Sequence, residues 1–280
     1  MARQENGLPR EDYVEPRCLL GMDPMGEEEN ARPIPQRRVM EKLDEYMSRR
    51  DYDGAGRHLN YWLEEAKMVR DLRGELLVRN ELIGHYRKTG NKAAALENAA
   101  AAESLVERLG MERTVSAGTT WVNAATACNA FGENERALAL FEKARAVYEE
   151  SAGTGPALLG GLYNNMALTY GALGRYDEAL ELYEKAFDTM GKLPDGVLEQ
   201  GITCLNMADA YAGKLGMEQA EGRIFDLLDR ALELLDTPSV PRDGYYAFVC
   251  EKCAPTFDYY GYFAAAEDLR ERARTIYERA

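Results

Sequence analysis

The chain has 280 residues, 46% of them hydrophobic, and a formal net charge of −14. Such acidity argues against nucleic acid as a partner, because phosphates reward clustered Lys and Arg, and it favours a neutral or basic protein surface instead. No apolar run is long enough to span a membrane and residues 1–17 hold no apolar leader, so the sequence reads as a cytoplasmic chain with reduced, scattered cysteines.

Residues 1–34 stand apart from the rest. They carry Pro9, Pro16, Pro24 and Pro33, the acidic run Glu27 to Glu29, a few apolar residues such as Leu19 and Met22, and no helical period. Two readings are open: a partly disordered tail, or an extended arm that caps the helical remainder of the chain or lies in its groove. Pro35 can take a first helical position, and helical pattern runs from there to residue 280.

Over 35–280 six helix pairs obey one rule. An aromatic residue or Cys near the end of the first helix is followed nine residues later by an Ala in the second. The pairs are Tyr46 and Ala55, Tyr86 and Ala95, Cys128 and Ala137, Tyr170 and Ala179, Tyr211 and Ala220, Phe257 and Ala266. The alanines step by 40, 42, 42, 41 and 46 residues, which predicts a period near 42. Matches weaken at the ends. Lys42 and Leu43 depart from the pattern in the first pair, and Arg79 and Ile83 in the second. Pro255 falls within the first helix of the last pair and predicts a kink or a late start there. Pro238, Pro241, Asp243 and Gly244 mark the longest linker.

The clearest unit is 160–186. Tyr163, Met166, Ala167 and Tyr170 lie on one face of a helix, Gly174 breaks it, and Ala179, Tyr183 and Ala186 face inward from a second helix. This pattern resembles the tetratricopeptide repeat, with Tyr163 in the place of its Trp, Met166 of its Leu, Ala167 of its Gly and Tyr183 of its Phe. The resemblance implies an all-α, right-handed superhelical solenoid of about six helix-turn-helix repeats, with helices longer than in the minimal repeat. It also implies that first helices line a concave groove, and that the chain is a noncatalytic scaffold holding an extended peptide. The alternative is a peptide-responsive signalling regulator whose superhelix changes shape on ligand binding.

Asn123, Asn165 and Asn206 recur once per repeat, two residues after Trp121, Tyr163 and Cys204. Asn164 and Asn80 are the next polar candidates. An amide offers a donor and an acceptor side by side and can pair with a peptide backbone. Ligand contact and local hydrogen bonding both remain open for these asparagines. Gly161, Gly171, Ala212 and Gly213 predict a roomy groove between them. The central repeats offer no cations for a carboxylate clamp. No catalytic or cofactor motif is present, and no metal site is expected. Cys250 and Cys253 read as core residues, and His58 and His85 lack nucleophile or carboxylate partners in any recognisable motif. On the last helix, Phe263, Leu269, Ile276 and Tyr277 form an apolar strip, either buried against its neighbour or used for a homodimer or partner contact.

Overall fold

The computed structural model describes residues 33–279. Among them the chain forms twelve α-helices in six antiparallel pairs. The pairs are α1 (Gln36–Ser48) with α2 (Tyr52–Met68), α3 (Leu72–Lys88) with α4 (Lys92–Arg108), α5 (Val115–Ala130) with α6 (Asn134–Glu150), α7 (Pro156–Ala172) with α8 (Tyr176–Met190), α9 (Val197–Leu215) with α10 (Met217–Leu235), and α11 (Gly244–Tyr259) with α12 (Phe263–Tyr277). The fold is an all-α helical-repeat solenoid. No helix among the described residues is long and apolar enough to cross a membrane. The expected arm over 1–34 lies outside the described residues except for its last two. Of these, Ile34 is buried in the first core, and its N–H donates to Asp71 Oδ2 at 3.0 Å.

Each pair turns on one residue of left-handed backbone. Glycine supplies it in five pairs, as at Gly174 (φ 72°), where no side chain crowds the preceding helix end. In the first pair Arg50 takes this conformation instead, with φ 56°. A polar side chain then caps two of the second helices. Asp51 accepts from the Gly54 N–H at 2.8 Å and Asn91 from the Ala94 N–H at 3.2 Å.

Beyond the turn the two helices close on the alanines that define the repeat. Ala55, Ala95, Ala137, Ala179, Ala220 and Ala266 are all 0% exposed. At the other end of the pair, glycines admit a large side chain from the second helix. A Cβ on Gly118 would overlap the ring of Tyr148, and one on Gly160 would lie 2.7 Å from Met190 Cε. The buried side chains group into three cores. One joins α1 to α3, one runs from α3 to α9, and one fills α9 to α12. Tyr86 and Tyr211 pack against two cores each and bridge them.

α11 does not start late: Asp243 caps it by accepting from the N–H groups of Tyr245 and Tyr246, and the helix runs through Pro255. Pro255 and Glu251, whose carbonyl loses its helical donor, both face solvent, so water can satisfy the freed group. On α12 the apolar strip is divided. Leu269 is fully buried and Ile276 and Tyr277 are half-buried, while Phe263 is 68% exposed.

The two ends of the array touch. Arg50, in the turn between α1 and α2, pairs with Glu251 of α11 at 3.4 Å. Its guanidinium lies 4.5 Å from the centre of the Tyr277 ring of α12, and the Tyr277 hydroxyl donates to the same Glu251 carboxylate at 3.3 Å.

Gly118→Ala should cost about 1–3 kcal/mol of stability in chemical denaturation, because Tyr148 has no room to move. Gly171→Ala, where a Cβ would meet nothing within 4 Å, should hold or raise stability by up to about 1 kcal/mol. Equal effects of the two would show that the Gly118 contact does not constrain the pair. Arg50→Glu should leave the melting temperature nearly unchanged, since exposed ion pairs contribute about 0–1 kcal/mol. It should nevertheless increase the radius of gyration in small-angle scattering, and an unchanged radius would mean that this contact does not hold the ends together.

Candidate functional site

The first helices form the inner layer. α3 packs on α5, α5 on α7, α7 on α9 and α9 on α11. Their polar residues fall into two sets, one turned toward the neighbouring first helix and one turned past it.

The first set pins helices together. Asn80 on α3 donates to Thr120 Oγ1 on α5 at 3.0 Å and to the Leu76 carbonyl at 3.1 Å. Two repeats on, Asn164 on α7 donates to Thr203 Oγ1 on α9 at 2.9 Å. Thr203 in turn donates to the Glu199 carbonyl at 2.8 Å. Asn164 is buried and both threonines are fully buried, so these pairs sit in the seam between helices. Between these two seams, Val122 and the buried Leu162 occupy the corresponding places.

Asn123, Asn165 and Asn206 make up the second set. All three are half-buried. Asn123 donates to Asn80 Oδ1 at 3.1 Å, which leaves its own carbonyl oxygen free. The side-chain amides of Asn165 and Asn206 have no hydrogen-bond partner among the described residues. Beside them the surface is open at Gly161 and Gly171, where a Cβ would meet nothing within 4 Å. The expected room at Gly213 is absent, because the ring of Tyr176 fills it. A cavity of about 350 Å³ opens between α3 and α5, lined among others by Asn80, Glu81, Ser116, Thr119 and Asn123.

Glu81 is a groove residue that the sequence pattern of amides does not reveal. It lies five residues before Tyr86, as Asn123 lies before Cys128, Asn165 before Tyr170 and Asn206 before Tyr211. The register that marks the asparagines marks Glu81 too, with a carboxylate in place of the amide. Similarly, the near-equal spacings of Asn80 to Thr120 and Asn164 to Thr203, 40 and 39 residues, carry a signal for the seam pairs.

The four described cysteines and the two histidines sit among packed helices. Burial pushes the Cys204 thiol up to about 11 and the Cys253 thiol up to about 12, and raises those of Cys128 and Cys250, so all four stay protonated near neutral pH. His58 donates from Nε2 to the Val39 carbonyl at 2.9 Å, tying α2 to α1. Burial lowers the His85 pKa, keeping that imidazole neutral near pH 7. A second cavity, of about 390 Å³, lies beside α12. Its cations are already matched: Arg272 pairs with Asp236 and Asp268, each at 2.5 Å, and Arg242 stacks 4.1 Å from the Tyr246 ring centre.

Asn164→Ala should strand the Thr203 end of a buried seam and cost about 1–3 kcal/mol of stability. Asn206→Ala should stay within about 0.5 kcal/mol of the parent, as for groups that water can reach. Matched denaturation curves for the two variants would check the division into seam and groove, and equal losses would remove it.

Residues 160–193 match the family model described as tetratricopeptide repeat. No curated protein matches this chain at a significant level. Among solved structures, similarity in fold extends to BtubC from P. vanneervenii, with a TM-score of 0.61 and 19% identity over 73% of this chain and 83% of that one. It extends also to a putative kinesin light chain of Podosopora anserina with nearly identical TPR-like repeats, with a TM-score of 0.57 and 21% identity over 71% and 93%. A third is NprR in complex with its cognate peptide NprX, with a TM-score of 0.58 and 16% identity over 86% of this chain and 66% of that one. Residues 160–193 thus match a tetratricopeptide repeat, and the chain shares the helical-repeat fold of these solenoids.

Proposed function

We propose that this chain is a noncatalytic interaction scaffold that holds an extended peptide segment of a partner protein in its concave groove. Asn123, Asn165 and Asn206 pair with the backbone of that segment. The observation that carries this reading is the set of three half-buried amides, one per repeat on the inner helices, two of them without a partner among the described residues. An amide of this kind offers both a donor and an acceptor, which is what each peptide unit of an extended chain requires. The open surface at Gly161 and Gly171 leaves room for the segment between them. The similarity to NprR, solved with a bound peptide, supports the same use of the fold.

A second reading is a regulator whose superhelix changes shape when the peptide binds. One observation favours it. The ends of the array meet through small contacts such as Arg50 with Glu251 and Tyr277, which a ligand in the groove could trade for its own.

The test is a triple variant, Asn123→Ala with Asn165→Ala and Asn206→Ala, compared with the parent in panning of a displayed random-peptide library. The triple variant should melt within a few degrees of the parent and retain none of the parent's selected peptides. Loss of each backbone pair should weaken binding by about 1–3 kcal/mol, with little dependence on peptide sequence. A folded triple variant that keeps the parent's peptides would place the binding surface elsewhere. Scattering with and without a selected peptide separates a rigid scaffold from a shape-changing regulator.

A further inference from the structure

Glu81 occupies the groove register in the second repeat, the place held by Asn123, Asn165 and Asn206 in the next three. There the amide gives way to a carboxylate, and the surroundings of that carboxylate are unusual. Glu81 is half-buried at the wall of the 350 Å³ cavity between α3 and α5, next to Asn80 and Asn123. It forms no ion pair and no hydrogen bond among the described residues. Asp44, on α1, is the charged group acting on it, and it is of the same sign. Arg73 lines the same cavity, but it is solvent-exposed and does not pair with Glu81.

A half-buried carboxylate with a like charge nearby is destabilised in the free protein, and a cation is what would relieve it. Burial, with a smaller contribution from Asp44, holds the Glu81 pKa above the usual carboxylate range. The amides beside it in the same register face the same groove. A chain lying along those amides would therefore carry one of its side chains into the cavity at this end. We infer that the cavity between α3 and α5 receives a Lys or Arg side chain of the bound peptide, with Glu81 as its counter-ion and Asp44 reinforcing the field. The inference rests on the groove reading above and adds its specificity: three repeats grip the backbone and the second repeat selects a cationic residue. The net charge of −14 acts in the same direction, drawing basic segments toward the array.

The experiment uses the full chain and a displayed random heptapeptide library. Peptides selected on the parent should share a Lys or Arg at one fixed position. In a synthetic copy of one such peptide, replacing that Lys with norleucine, or that Arg with citrulline, should weaken binding to the parent by roughly tenfold or more. Glu81→Gln, which keeps the shape of the side chain, should cause a similar loss and select a library without the basic preference. Asp44→Asn should weaken binding less. Because the altered-peptide arm uses the unmodified protein, a folding defect in a variant would not obscure the answer. Selected peptides with no fixed basic residue, or equal affinity for the peptide and its neutral copy, would overturn this inference while leaving the amide groove standing. Failure to select any peptide would overturn both.

Discussion

Each helix pair closes on the methyl group of a single alanine, and the rest of the molecule depends on that separation. Ala55, Ala95, Ala137, Ala179, Ala220 and Ala266 are completely buried where the second helix begins. A larger side chain there would push the helices apart and uncover the aromatic and cysteine side chains packed beside it. The pair is narrow at one end because of alanine. Toward the other end the glycines of the first helix take up the bulk, with Tyr148 lying against Gly118 and Met190 against Gly160. Since a two-helix unit cannot bury both its faces, pairs must stack, and stability accumulates between neighbours rather than around one centre. Three successive cores, bridged at Tyr86 and Tyr211, are the result.

The chemistry of the groove comes from the same helical geometry. Consecutive residues on a helix are rotated by about 100°. On the inner helices one residue therefore points into the seam and the next points past it. Asn80 and Glu81, Val122 and Asn123, Asn164 and Asn165, Leu205 and Asn206 are four such couples. The first member of each sets how adjacent repeats are joined, by an Asn–Thr hydrogen bond or by apolar contact. The second member points past the seam and stays half-buried, with a polar group that solvent can reach. Seam and groove can thus vary independently, although they are adjacent in sequence.

The contact between the ends is of another kind. The cores are made of buried side chains, whereas Arg50, Glu251 and Tyr277 meet at an exposed surface where water and salt compete. Small rotations between successive repeats bring these groups together, and slight changes in the same rotations would part them.

Much of the architecture was legible in the residues themselves. Six helix pairs, their order, the buried alanines and the turn at Gly174 come from spacing, because hydrophobic periodicity reports which face of a helix meets its immediate partner. The asparagines were also visible as a recurring position. What periodicity does not report is a relation between elements that are not sequence neighbours. It could not separate Asn164, inside a seam, from Asn165, one residue further round the helix, because that depends on the angle between α7 and α9. It passed over Glu81, whose significance comes from the cavity that α3 and α5 enclose and from Asp44 on another helix. It left a kink and a late start both open at Pro255; the helix does not start late, and it continues through the proline because the missing hydrogen bond falls on the solvent side. The meeting of Arg50 with Glu251 lay furthest beyond its reach. Local sequence determined each repeat of this protein, while the sum of small rotations between repeats, spread over the whole array, decided which distant side chains share a groove, a cavity or a contact.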